Sequence, residues 1–167
     1  ISDIEDRLAE YPYKQRVDDP SFHFVKSKIR VFLQDKKSIK KQLEINIKNK
    51  SYVSEMGERY ALSYAYLRNE NFSEAQNELK WIKDKKIENP MIDLLNIEIL
   101  LKKGDINLAY LAMKKALMKY PNYRAFVYKL ANYYIEVGSI KEAIELLQNY
   151  ILIFRTDSNL YKLIAKA

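Results

Sequence analysis

Cysteine is absent from the sequence, and histidine occurs only once, at His23. Without cysteine these residues cannot form disulfide bonds, thiol catalysts or cysteine-ligated zinc sites. His23 alone cannot supply the two histidines that a zinc peptidase places one helical turn apart. A Ser-His-Asp site would also depend on His23, and the sequence has neither a glycine-rich phosphate loop nor a nucleophile elbow. We therefore predict no catalytic residue, no metal site and no cofactor in this chain.

Glycine and proline are also scarce, with three and four residues, which is too few for a β-protein rich in tight turns. No apolar run approaches the roughly 18 residues that a membrane span requires, so we predict no span. Apolar residues nevertheless make up 48% of the chain, as in globular proteins that bury a core. These limits favour an all-α protein.

A short phrase recurs along the sequence at a fixed interval. It reads NENFSEA at 69–75, KGDINLA at 103–109 and VGSIKEA at 137–143, so its final alanines, Ala75, Ala109 and Ala143, define a 34-residue period. Tandem helix–turn–helix units of this length build solenoids. Each phrase therefore predicts a tight turn, with Gly104 and Gly138 ending one helix and the alanine lying where the two helices cross.

The same phrases predict where the second helix of each unit begins. Asn71, Asp105 and Ser139 occupy the expected N-cap positions. Glu74 follows Asn71, and Glu142 follows Ser139, at capping-box spacing.

The periodicity divides the chain into three parts. Residues 1–20 are predicted to be a short helix and a linker, in which Pro12 and Pro20 bracket a polar connector. Residues 21–52 are predicted to form a degenerate helical hairpin with helices at 21–34 and 37–49, and residues 53–167 to form three repeats and a capping helix at 158–166. The chain opens with ISDIEDRLAEYP and no initiator methionine, so we expect a piece of a longer protein whose preceding domain is absent.

Positive charge is concentrated in one segment. Residues 26–50 contain nine Lys and Arg and two acidic residues, which accounts for the whole formal net charge of +7. Such a segment can attract nucleic acid, anionic lipid or an acidic partner, and it can equally be a solvated helix face. No nucleic-acid-binding motif accompanies it, so we predict no specific nucleic acid.

The repeat resembles the tetratricopeptide repeat in its 34-residue phase, its small residue at each helix crossing and Pro121 at a repeat end. That family also has a small residue in the middle of the first helix, which Ser63 and Ala131 match and Ile97 does not. The resemblance implies a right-handed solenoid of antiparallel helical hairpins, here with a degenerate N-terminal hairpin and a C-terminal capping helix.

Binding is the function that this architecture predicts, because the first helices of stacked hairpins line a concave surface. Aromatic and charged side chains on that surface suit a peptide or a partner helix. Packing against neighbouring helices, or against a domain outside this chain, is the alternative interpretation of the same residues. The predicted groove residues are Tyr60, Tyr64, Arg68, Leu94, Glu98, Lys102, Tyr128, Lys129 and Asn132.

The order of the segments carries a second resemblance. The segments come in the order ISDIEDRLAEYP, FHFVKSKIRVFL, a hairpin, the repeats and DSNLYKLIAKA. This order is similar to that of the C-terminal half of the periplasmic beta-barrel assembly-enhancing proteases, which are gluzincin-type zinc metallopeptidases. This resemblance implies a periplasmic location and a zinc-containing catalytic domain outside this chain. It also implies docking of substrates or partners, with the outer-membrane assembly machinery and the chain's own protease domain as candidates. A free-standing scaffold or adaptor with no attached enzyme is the alternative.

Overall fold

The protein is described here by a computed structural model that covers residues 20–33, 36–49, 52–151, 153 and 157–167. Every regular element in these residues is an α-helix, which confirms the all-α prediction. The helices are α1 Pro20–Leu33, α2 Lys36–Lys48, α3 Tyr52–Arg68, α4 Phe72–Asp84, α5 Pro90–Lys103, α6 Ile106–Lys119, α7 Arg124–Glu136, α8 Ile140–Tyr150 and α9 Ser158–Lys166. The short helix and linker predicted at 1–20 lie outside the described residues, except for Pro20 at the start of α1.

The helices belong to two compact units, with the boundary between Lys103 and Gly104. In the first unit α3 is central: it packs against α1, α2 and α4, and α4 packs against α5. In the second unit α7 takes this place and packs against α6, α8 and α9. The predicted division into 1–20, 21–52 and 53–167 rests on periodicity and stays a prediction.

Each repeated phrase contains a turn between consecutive helices, as predicted. Gly104 and Gly138 adopt left-handed backbone conformations, with φ of +88° and +78°. Glu70 lies one repeat period before Gly104 and takes the same conformation, with φ of +58°. The first turn therefore uses the same geometry as the others without the glycine that usually permits it.

The alanines that end the three phrases are buried, in agreement with the prediction that they lie within the helix packing. Ala75, Ala109 and Ala143 are fully shielded from solvent. In the first hairpin the buried Ser63 hydroxyl donates a hydrogen bond to the Ala75 carbonyl oxygen at 2.8 Å. The backbones of α3 and α4 approach closely because both positions carry short side chains.

The N-cap positions are correct, but the predicted capping boxes are not formed. Asn71, Asp105 and Ser139 immediately precede α4, α6 and α8, and none of them makes a side-chain capping hydrogen bond. Their ψ angles lie between 58° and 72°, short of the extended values typical of capping residues. Asp157 before α9 has a ψ of 104°, and its side chain does accept the Asn159 N–H.

The degenerate hairpin is held against the first repeat at Gly57. A Cβ atom added there would lie 3.1 Å from both the His23 Cβ and the Ser27 Oγ of α1. The ring of His23 meets the Phe22 ring edge-on, with their centroids 5.7 Å apart. Helix α1 and its only histidine are thus packed along α3.

Candidate functional site

The nine predicted groove residues lie on three helices. Helices α3 and α5 belong to the first unit, and α7 belongs to the second. The two sets are therefore described separately.

Tyr60 belongs to the core of the first unit. It is 1% exposed, its ring lies 4.7 Å from the Phe24 ring of α1, and its hydroxyl lies 3.5 Å from the Met91 carbonyl oxygen. Leu94 is also buried, at 8% exposure. The prediction that Tyr60 lines an open groove is wrong, because α1 covers this part of α3.

Tyr64, one helical turn further along α3, is half-buried and has charged neighbours from two helices. Burial raises the pKa of Tyr64, the Glu98 carboxylate of α5 raises it further, and the Arg68 guanidinium lowers it. Tyr64 and Arg68 lie one turn apart on α3, and α3 contacts α5, which carries Glu98. These three predicted groove residues therefore lie on two helices in contact, and their role in binding stays a prediction.

Two exposed cations extend this surface. Arg68 donates a hydrogen bond from Nη1 to the Val31 carbonyl oxygen near the end of α1, at 3.1 Å. Lys102 is exposed one helical turn beyond Glu98 on α5. We call Tyr64, Arg68, Glu98 and Lys102 the Tyr64 surface.

In the second unit Tyr128 packs within the protein rather than on an open face. It lies against the buried cluster that contains Val127, Leu147 and Leu160. Burial and the neighbouring Asp157 carboxylate raise the pKa of Tyr128 to about 12. Since Leu160 belongs to α9, this ring helps to fix the capping helix.

The other two predicted residues of α7 are partly buried. Asn132 donates from Nδ2 to the Tyr128 carbonyl oxygen at 2.9 Å, a bond within its own helix. Lys129 is half-buried beside Tyr128. Their assignment to a binding groove stays a prediction.

A polar contact to Arg124 completes the attachment of α9. Arg124 Nη1 lies 2.9 Å from Asp157 Oδ2. The pKa of Asp157 lies below its usual value because its charged form is favoured by the Tyr128 hydroxyl, the Asn159 N–H and this guanidinium. Arg124 of α7 and Asp157 at the start of α9 therefore form an intramolecular contact between these helices, which we call the clasp.

A cation–aromatic cluster on α3 and α4 was not predicted from the sequence. Arg59 donates to Glu55 and to Glu78, both at 2.9 Å. Its guanidinium lies 4.3 Å from the Trp81 ring centroid, and the Lys85 ammonium lies 4.4 Å from the same ring. The four-residue spacing of Glu55 and Arg59 was the available signal. These contacts join two helices of one hairpin and indicate a structural role.

In the described part of the chain, no group of three or more His, Cys, Asp and Glu side chains could hold a metal ion. None of the described helices is both long and apolar enough to cross a bilayer.

The comparisons with known proteins concern mainly the second unit. The family described as tetratricopeptide repeat matches residues 100–167, which include α6 to α9 and the end of α5. No curated protein and no solved structure matches the chain. The family match supports a tetratricopeptide-repeat region over these residues, in agreement with the 34-residue periodicity.

Proposed function

We propose that the chain is a protein–protein interaction module that binds a peptide or a partner helix on the Tyr64 surface. The observation that carries this proposal is the contact between α3, which carries Tyr64 and Arg68, and α5, which carries Glu98, in a chain that also contains a tetratricopeptide-repeat region. Stacked helical repeats present such surfaces to extended partners.

The composition of the surface favours a particular ligand. The half-buried Tyr64 ring offers apolar area and a polar edge. Arg68 on α3 and Lys102 on α5 are exposed and add positive charge to the two helices, and Glu98 supplies one carboxylate. A segment that presents an apolar side chain between acidic residues complements this arrangement, and electrostatic complementarity supports selection among partners.

The test measures affinity for a purified partner, identified first by crosslinking to the protein in its native cells. Tyr64→Ala is expected to weaken binding by roughly tenfold or more, as truncation of an aromatic contact commonly does. The matched control is Tyr161→Ala, since Tyr161 is an exposed tyrosine on α9. Equal affinities for the wild type and Tyr64→Ala would remove the Tyr64 surface from the binding site. Tyr60 is unsuitable for this test because its removal would damage the core.

We further propose that this module serves a zinc metallopeptidase of the bacterial envelope. The order of segments in the sequence supports this proposal. A binding module beside a protease raises the effective concentration of a large substrate without new chemistry. In the intact protein, Tyr64→Ala should leave cleavage of a short unstructured peptide unchanged and should lower capture of an outer-membrane assembly partner.

The coding sequence upstream of residue 1 tests the link to the enzyme. A signal peptide followed by an HExxH helix supports the peptidase proposal, and the absence of HExxH contradicts it. The second candidate is a free-standing scaffold or adaptor. It is favoured by the family match itself, which concerns repeats alone.

A further inference from the structure

Helix α6 presents an apolar stripe to solvent. Leu108, Leu111 and Met118 are 56%, 60% and 83% exposed. Leu111 follows Leu108 by three residues and Met118 follows Leu111 by seven, a spacing that places all three on one side of a helix. The opposite side of α6 carries Ala109 and Met113, which are fully buried. The stripe is therefore an outer face of the second unit rather than an incompletely packed core.

Lysines accompany the stripe, and α6 contains no acidic residue. Lys114, Lys115 and Lys119 are all exposed. The Lys114 ammonium lies 5.5 Å from the Tyr110 ring centroid, and the Lys119 ammonium lies 5.2 Å from the Tyr120 ring centroid. We call these three lysines, together with Leu108, Leu111 and Met118, the α6 face.

The chemistry of the α6 face limits what can cover it. Helix α8 of the same unit exposes Lys141, Glu142 and Glu145, so the positive charge of α6 is a local feature rather than a property of every helix in the unit. Such a local charge suits a small acidic partner better than an extended anionic bilayer. A symmetric contact between two copies of α6 would place lysines against lysines. Nucleic acid offers nothing apolar to the leucines and the methionine along its phosphate backbone.

We propose that the α6 face docks an acidic amphipathic helix of a partner protein. A single helix matches the width of the stripe, its apolar side covers Leu108, Leu111 and Met118, and its carboxylates meet the flanking lysines. Methionine suits such a surface because its flexible side chain adapts to the groups that it contacts. This site lies in the second unit and goes beyond the function proposed for the Tyr64 surface.

The experiment uses the full chain and a fluorescent synthetic peptide of about 15 residues, with leucines at helical spacing and glutamates elsewhere. Fluorescence anisotropy should show saturable binding that weakens as salt is added. The double variant Leu111→Ser with Met118→Ser should bind the peptide roughly tenfold more weakly or worse. The triple variant with Lys114, Lys115 and Lys119 changed to Gln should also bind more weakly and lose most of the salt dependence.

Two controls distinguish binding at the α6 face from nonspecific hydrophobic or electrostatic binding. Val137→Ser removes an apolar side chain of similar exposure from the end of α7, and it should leave peptide affinity unchanged. A peptide with lysines in place of the glutamates should not bind. The lysine variants alter only exposed side chains, so they keep the test decisive if the double variant folds poorly.

Several results would overturn the proposal. The proposal is wrong if the acidic peptide shows no saturable binding, or if all variants bind it equally. It is also wrong if the protein binds vesicles of anionic phospholipid but not the peptide. Self-association of the wild type that disappears in the double variant, again without peptide binding, would assign the α6 face to a second copy of the chain.

Discussion

A left-handed backbone conformation recurs at three equivalent positions, and the first of them is not glycine. Glu70, Gly104 and Gly138 occupy the same position in successive repeats and have φ of +58°, +88° and +78°. A residue with a Cβ atom loses roughly 1–2 kcal/mol in this conformation, because the Cβ approaches the following carbonyl oxygen. The turn before α4 therefore carries strain that the other two turns avoid.

Glu70→Gly should raise the free energy of unfolding by about 0.5–1 kcal/mol. This gain is the strain that glycine relieves, reduced by the greater conformational entropy of glycine in the unfolded chain. Urea unfolding followed by circular dichroism measures this change. The control is Glu74→Gly, since Glu74 lies four residues on, in the first turn of α4. There glycine should lower stability by up to about 1 kcal/mol. Effects of the same sign at both positions would refute the assignment of strain to Glu70.

The clasp around Asp157 predicts a pH dependence at the acid end of the scale. The pKa of Asp157 lies below its usual value of 3.8, so near that pH the folded chain binds fewer protons at this carboxyl than the unfolded chain does. The stabilisation is therefore present above pH 3.8 and is lost as the pH falls through the folded-state pKa. Thermal melts between about pH 2.5 and 6 should show a shallower acid limb for Asp157→Asn than for the wild type. An unchanged slope for Asp157→Asn would contradict the clasp.

Among the helices, the crossings fix how closely the two halves of a hairpin pack. Ala109 and Ala143 are fully buried in α6 and α8, whereas Asn107 is exposed on α6. Replacing either alanine with leucine should cost roughly 1–3 kcal/mol, because the larger side chain does not fit the buried space that the alanine fills. Asn107→Leu should be nearly neutral. Melting temperatures measured for the three variants check this, and equal values would show that the alanines do not mark the crossings.

Helix positions could be predicted from the sequence because turns and crossings require particular residues. The constant repeat period located the turns, and the capping helix at 158–166 agrees with α9 at both ends. The conformation of Glu70 could not be predicted, since glutamate gives no sign of a left-handed position. The side-chain capping hydrogen bonds that α4, α6 and α8 lack could not be predicted either. Whether an N-cap residue makes this bond depends on its ψ angle, and the residue type does not determine that angle.

The candidate site was less predictable than the helices, for a packing reason. Tyr60 and Tyr64 lie one turn apart on α3 and look equivalent in the sequence. Only the packing of α1, with Phe24 against Tyr60, separates a core ring from a surface ring. Helix α1 does not follow the repeat pattern, so its position could not be derived from the 34-residue phase. Tyr128 was similarly taken for a groove residue, and the structure packs it against the cluster that includes Leu160 of α9.

For the whole molecule, the location of the charge matters more than its total. The net charge of +7 originates in residues 26–50, where α2 exposes Lys37, Lys41 and Lys48. The ammonium groups of Lys36 and Lys40 lie 4.9 Å and 5.6 Å from the Tyr66 ring centroid. A hydrogen bond with Tyr66 raises the pKa of Lys40 and so favours its charged form. The lysines therefore form a solvated cationic surface on α2, a helix whose own sequence contains no aromatic residue for stacking on bases.

Such a surface should bind nucleic acid only weakly and without regard to sequence. Contacts between lysines and phosphates release counterions, so affinity falls steeply with salt, and non-specific dissociation constants lie on the order of 10⁻⁴–10⁻⁶ M at physiological salt. Fluorescence anisotropy with two unrelated DNA duplexes and one RNA should give similar values for all three. Changing Lys37 and Lys41 to Gln should weaken binding to each of them and reduce the slope of affinity against salt, because fewer phosphates are contacted. Lys162→Gln with Lys166→Gln on α9 is the matched control, since it removes the same charge from exposed positions far along the chain. A submicromolar complex with one defined sequence would contradict this prediction and would make nucleic-acid recognition the leading function of α2.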